Sequence, residues 1–121
     1  MSLYSSNNIC SAIRDLSKKG AKVAVAGLIN NMRGVKGEVE LMEEFASKLG
    51  VSVLGNIPSS GMIQEAESKG GTVVEVFPDS ELAETYRAIA RKIVDGVSTT
   101  IATPLELQDI MDILRKYQAL D

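Results

Sequence analysis

An α/β architecture with three layers (αβα) and parallel strands is expected for this chain, on three observations. Two short apolar runs, 22–29 (KVAVAGLI) and 51–57 (VSVLGNI), alternate with segments whose apolar residues recur at helical spacing. The first run lacks polar alternation, as in a strand buried on both faces. Strands separated by helices pair in parallel through crossover connections.

The elements follow in order. Residues 6–19 read as a helix, with Ile9, Ala12, Ile13 and Leu16 on one face and Gly20 able to end it. The run 22–29 is the first strand, followed by Asn30 and Asn31. Residues 38–49 form a strongly amphipathic helix, striped by Val39, Met42, Phe45, Ala46 and Leu49 and capped by Gly50. The second strand, 51–57, stops at Pro58. Residues 60–69 read as a short helix before Gly70-Gly71. TVVEV, 72–76, reads as a third strand or an extended connection. Residues 80–95 are helical, with Leu82, Tyr86, Ile89, Ala90 and Ile93 on one face, Asp79 or Ser80 at the start and Gly96 at the end. In the last helix, Thr103 stands at N-cap, Pro104 at N1 and Glu106 at N3, the pattern of a capping box, followed by Leu107, Ile110, Met111 and Leu114.

A chain of 121 residues suits one domain, and no repeat, low-complexity tract or long linker divides it. A sheet of two or three parallel strands is small against the usual five or six. The doubly apolar strand 22–29 therefore reads as the interior of a larger sheet, with a complete small α/β domain as the alternative.

Composition excludes several classes of function. The net charge of −3 shows no basic excess for nucleic acid. No apolar run approaches the roughly 20 residues that span a bilayer, and residues 1–10 are too polar for a signal peptide. The single cysteine, Cys10, cannot form an internal disulfide and suits a reducing cytoplasm. The absence of histidine removes His-based acid–base catalysis, His metal ligation and every Ser–His or Cys–His pair.

Candidate binding residues sit after the strands. Asn30 and Asn31 suit a turn, because Asn tolerates left-handed backbone and bonds locally. They also suit base recognition, since a side-chain amide offers one acceptor and two donors. The second strand ends in a polar loop, Asn56-Ile57-Pro58-Ser59-Ser60-Gly61, so two adjacent strand ends would share a polar crevice. The phosphate-holding pattern G-x-x-x-x-G-K-[ST] does not occur, nor does any Gly-Lys dipeptide; Gly-Val-Lys-Gly (34–37) reads as a mobile turn. Cys10 reads as a small buried hydrophobe. Glu38, Glu40, Glu43 and Glu44 read as a solvated helix face with favourable charge near its N-terminus. Glu65 and Glu67 suit a plain surface, and Tyr86 suits the core.

Several stretches together resemble one family. LYSSNNICSAI (3–13) resembles the segment that opens the C-terminal half of nitrogenase iron proteins. VAGLINNMRG (25–34) resembles their strand and adenine-side loop, and LGNIPSSGMIQEAE (54–67) their second nucleotide-side loop and helix. TVVEVFPDSELAETYRAIARKIVDG (72–96) and TPLELQDIM (103–111) resemble their late helices. The match runs in order over essentially the whole chain. The resemblance implies a partial P-loop NTPase-type sheet in an ATP-dependent, homodimeric reductase. There a bridging 4Fe–4S cluster passes electrons to a catalytic partner oxidoreductase.

The resemblance also implies site residues. Asn31 matches the asparagine that contacts adenine. Pro58, Ser59 and Ser60 match the loop enclosing the base. Gln64, Glu67 and Tyr86 match further nucleotide-side residues, and Arg33 matches the arginine of the loop motif. Departures occur: Ser59 and Ser60 replace the usual arginine and aspartate, Leu82 replaces a glutamine, and Asn30 stands where many members have Cys. The loop 57–71 and segment 76–90 also resemble partition and metal-cluster-carrier ATPases.

The family's P-loop, switch regions and cluster cysteines belong to an N-terminal half that has no counterpart in these 121 residues. The expectation is therefore an adenine-side, C-terminal portion that is inactive alone, binds no cofactor by itself, pairs with the N-terminal half, and self-associates through an exposed strand edge. The alternatives are a portion of a partition- or carrier-type ATPase, and a stand-alone binding module.

Overall fold

A computed structural model describes residues 3–117. The elements run α1 (Leu3–Lys18), β1 (Leu28–Asn31), α2 (Glu38–Leu49), β2 (Val53–Ile57), α3 (Gly61–Ser68), α4 (Val73–Val76), α5 (Glu81–Val94) and α6 (Leu107–Lys116). β1 and β2 pair in parallel, joined through α2. Apolar residues gather in two clusters. One holds Phe45 and Leu49 of α2, Cys10 of α1, and Ile110 and Ile113 of α6. The other holds Ile57 of β2 with Ala66, Val73, Leu82, Ala83 and Ile89 from α3, α4 and α5. The result is the expected three-layer αβα arrangement around parallel strands, a part of a P-loop NTPase-type sheet.

Local sequence explains the helices. Gly37 takes φ 81° at the N-cap of α2, a left-handed conformation that costs glycine little. Val39, Leu41, Met42, Phe45, Ala46 and Leu49 follow, all buried but the half-buried Val39. Ser60 and Ser80 cap α3 and α5, accepting from the amides of Met62 and Ala83 at 3.1 Å each.

Four expectations are corrected. α1 begins by Leu3 rather than residue 6. The strand expected over 22–29 is confined to Leu28–Asn31, with an isolated antiparallel bridge from Val25 to Thr100 upstream. Most of 21–26 is exposed rather than buried on both faces. A strand is held by its neighbours' backbone groups, and β2 reaches only the end of this run. TVVEV is neither strand nor extended: Val73–Val76 is one helical turn. Its Thr72 hydroxyl accepts from the Glu75 amide while the Glu75 carboxylate accepts from the Thr72 amide, a capping box that outweighs the β-branched composition.

The capping box expected at Thr103 does not form, and α6 starts at Leu107 after Glu106. The Thr103 amide donates to the Leu49 carbonyl at 2.9 Å. The Leu105 amide donates to Asn7 Oδ1 at 2.7 Å, and Asn7 Nδ2 donates to the Leu105 carbonyl at 3.0 Å. These long-range bonds hold 103–105 out of the helix.

Candidate functional site at the strand ends

Asn30 and Asn31 close β1 rather than following it. Asn30 stands opposite Asn56, and Asn31 opposite Ile57. The Met32 amide continues the ladder to the Ile57 carbonyl at 2.9 Å. Side chains alternate along a strand, so the two asparagines face opposite ways and have different surroundings. Asn30 is 4% exposed, and its Nδ2 donates to Asn56 Oδ1 at 3.0 Å. Asn31 is exposed. The turn reading is therefore corrected for both residues. Asn30 is committed to the neighbouring strand, and Asn31 is the one whose amide is accessible.

The loop after Asn31 is organised by α2. Both carboxylate oxygens of Glu38 accept backbone amides, from Arg33 and Gly34, at 3.0 Å each. This closes the turn 33–38 onto the helix start, so Glu38 is more than a member of a solvated face. The pattern of a glutamate just after Gly37 is legible as an N-terminal charge, but its backward reach is not. Asn30, Asn31, Arg33, Lys36 and Glu38 line a cavity of about 320 Å³ whose apolar wall includes Met42 and Leu114.

The remaining candidates fall elsewhere. Pro58 and Ser59 are exposed directly beyond Ile57, so they adjoin Asn31 across the strand pair. Ser60 is half-buried, and its oxygen is occupied in capping α3. Glu67 and Tyr86 line a second, mainly apolar cavity of about 390 Å³ with Ile63, Thr72, Val73 and Val74. Gln64 is exposed on α3 and lines neither cavity. Leu82 is buried in the apolar cluster beneath Tyr86. The structure thus groups Asn31 with Arg33, and Glu67 with Tyr86. It sets Pro58 and Ser59 at the strand ends and leaves Gln64 apart. Thr72, Val73 and Val74 escape a reading of the sequence because β-branched composition makes that segment look extended.

Electrostatic perturbation lies away from this region. Glu44 of α2 is held below its ordinary range, chiefly by its hydrogen bond from Lys116, and accepts also from Tyr117 at 3.3 Å. Lys116 is correspondingly raised. Burial raises the Cys10 thiol. Cys10 is 3% exposed inside the first apolar cluster. A 4Fe–4S cluster is held by four cysteine thiolates. One buried, protonated thiol does not fit that role, and no His/Cys/Asp/Glu group among the described residues has a metal-holding arrangement. No helix among them is long and apolar enough to cross a membrane.

Residues 1–120 match the family model described as 4Fe-4S iron sulfur cluster binding proteins, NifH/frxC family. Nitrogenase iron protein 2 of Methanothermococcus thermolithotrophicus is 41% identical over 118 residues, covering 98% of this chain and 40% of that protein. Nitrogenase iron protein 2 of Methanothermobacter thermautotrophicus is 39% identical, covering 98% of this chain and 43% of its own length. The nitrogenase iron protein of Methanospirillum hungatei is also 39% identical, with coverages of 97% and 42%. The chain spans about two-fifths of the length of these curated relatives. It belongs to the NifH/frxC family of 4Fe-4S iron sulfur cluster binding proteins.

Proposed function

We propose that this chain is one domain forming the adenine-side portion of an ATP-dependent reductase of the nitrogenase iron protein type. The N-terminal part of a longer polypeptide supplies the phosphate loop, the switch segments and the cluster cysteines. Two such subunits form a homodimer in the cytoplasm. Electrons pass from the 4Fe–4S cluster to a catalytic partner oxidoreductase, with neither nucleic acid nor membrane involved.

The observation that carries this reading is the placement of Asn31 opposite Ile57, with Pro58 and Ser59 next in line, at the carboxyl ends of two parallel strands. Ligands of open α/β sheets lie outside those ends. The chain's own residues bind and orient. The Asn31 amide offers an acceptor and donors to the edge of adenine. Pro58 and Ser59 cover the base from the neighbouring strand end. Glu67 accepts a hydroxyl, and Tyr86 offers a ring face. Arg33 lines the same cavity as Asn31 and offers a cation to the nucleotide.

ATP-Mg, when bound, supplies the phosphoryl transfer that gates the electron. Stabilising that transfer needs a phosphate cradle, Mg²⁺ and switch residues, and the 121 residues hold no Gly-Lys pair of the P-loop kind. The chain by itself therefore turns over no ATP. With no third strand on the free side of β1 among the described residues, that edge pairs with a second copy.

The test is an amide-resolved NMR titration with adenosine and with ATP, each with and without Mg²⁺. Shifts are expected at Asn31, Pro58-flanking and Ser59 amides, with affinity in about the millimolar range and no gain from Mg²⁺. Micromolar, Mg²⁺-dependent binding contradicts the half-site, and shifts confined to other surfaces contradict the adenine assignment.

A further inference from the structure

Between Leu28 and Ile29 the strand register shifts. Leu28 stands opposite Val53, but Ile29 stands opposite Gly55, so β2 carries one extra residue at a bulge. A bulge makes two registers available downstream. In the regular one, Asn30 would face Gly55 and Asn31 would face Asn56. In the observed one, Asn30 faces Asn56 and Asn31 faces Ile57. A one-residue slip turns every following side chain to the other face and moves the strand ends by about 3.3 Å.

We propose that the Asn30–Asn56 amide bridge selects the bulged register, and thereby positions Asn31 against the Pro58–Ser59 loop. The positioning role rests on the adenine reading above; the register role does not. Asn30 is 4% exposed, so its amide depends on the protein for a partner. Asn56 Oδ1 supplies one at 3.0 Å. Opposite Gly55, which has no side chain, that donor would be buried without its acceptor, a costly arrangement. A buried asparagine pair is thus a register pin, in the way a single buried polar residue fixes register in helical pairs. The bridge lies one residue before Asn31 on one strand and two before Pro58 on the other, close enough to transmit the choice directly.

The pin is reinforced on the opposite face. A Cβ on Gly55 would lie 2.5 Å from Ile89 Cγ1. Gly55 is therefore the residue of β2 that suits this place against α5. The two devices act on different strands: Gly55 fixes which face of β2 meets α5, and the amide bridge fixes β1 to β2.

The experiment compares Asn56→Leu, Asn56→Asp and Asn30→Ala in the full chain, using cross-strand NOEs and exchange of the Met32 amide. That amide reports the register because it bonds the Ile57 carbonyl at 2.9 Å. Asn56→Leu and Asn30→Ala are expected to lose the Asn31–Ile57 NOE and to raise Met32 exchange about tenfold. Asn56→Asp keeps an oxygen acceptor for Asn30 Nδ2 and is expected to retain both signals. Should Asn30→Ala fail to fold, Asn56→Leu and Asn56→Asp decide the matter, since Asn56 is only half-buried.

Unchanged NOEs and protection in Asn56→Leu overturn the proposal, as does equal loss in Asn56→Leu and Asn56→Asp. An adenosine titration on the same samples separates the two claims. Loss of register with no adenosine response in the unsubstituted chain overturns the adenine reading and leaves the register pin standing. Adenosine shifts at Asn31 that survive a lost register overturn the positioning role.

Discussion

Replacing Gly55 by alanine tests how tightly α5 is seated on β2. The added Cβ would stand 2.5 and 2.6 Å from Ile89 Cγ1 and Cδ1, well inside van der Waals contact, while Ile89 Cβ lies at 3.9 Å, an ordinary distance. Ile89 is 6% exposed within the second apolar cluster and has little room to rotate away. Overpacking of this kind costs about 1–3 kcal/mol. Reduced freedom of the unfolded chain returns roughly 0.5 kcal/mol on replacing glycine. A net loss of about 1.5 kcal/mol remains, lowering the melting temperature by about 6 °C for a chain of this length.

Ile89→Ala removes both clashing atoms and on its own costs about 2–5 kcal/mol through the cavity it leaves. In the double variant the new methyl occupies part of that cavity. The two changes should then couple favourably by about 1–2 kcal/mol. Urea denaturation of the four proteins measures this directly. A neutral Gly55→Ala, or strict additivity with Ile89→Ala, refutes the close approach of α5 to β2.

Thr72→Ala removes the capping box of α4 and should cost about 1 kcal/mol in the same assay, whereas Thr72→Ser should restore most of it. The Glu44 carboxyl is depressed by Lys116, so its contribution is present above the ordinary value of 4.5 and is lost as pH falls through the lower folded value. Lys116 is raised, so its contribution holds below the ordinary 10.5 and disappears as pH rises past the folded value. Denaturation midpoints of Glu44→Gln should therefore fall less than those of the unsubstituted chain on acidification below about pH 4.5; parallel curves would deny the pairing a role. Sedimentation velocity at high concentration should show self-association, and Ile29→Lys, which charges a 38% exposed position on the free-edged strand, should suppress it. A sharply monomeric profile for the unsubstituted chain counts against pairing at β1.

The alternation of helices with apolar runs is enough to place α2, β2, α3 and α5 within a residue or two, because their caps and stripes are local. Two misreadings share one cause, the competition of distant partners with local pattern, and a third comes from a local capping box. The run 22–29 has the composition of a central strand, but a ladder needs neighbours, and β2 reaches only Leu28–Asn31. Thr103-Pro104-Leu105-Glu106 has the spacing of a capping box, yet Asn7 and Leu49 hold its backbone. Residues 72–76 look like a strand until the reciprocal Thr72–Glu75 bonds are counted.

At the site, the adjacency of Asn31 and Pro58 follows from two parallel strands ending in polar residues. The unlike fates of Asn30 and Asn31 do not, because they depend on the register across a bulge in the other strand. The separation of Arg33 from Glu67 and Tyr86 into two cavities is equally invisible to spacing.

Asn7 and Leu105 exchange two hydrogen bonds across 98 positions of sequence. Bonds spanning so much of the chain are entropically expensive to close and tend to form late in folding. The segment through Leu105 must therefore have left the ribosome before α1 can lock the start of α6 in place. Until then α6 lacks this anchor to α1.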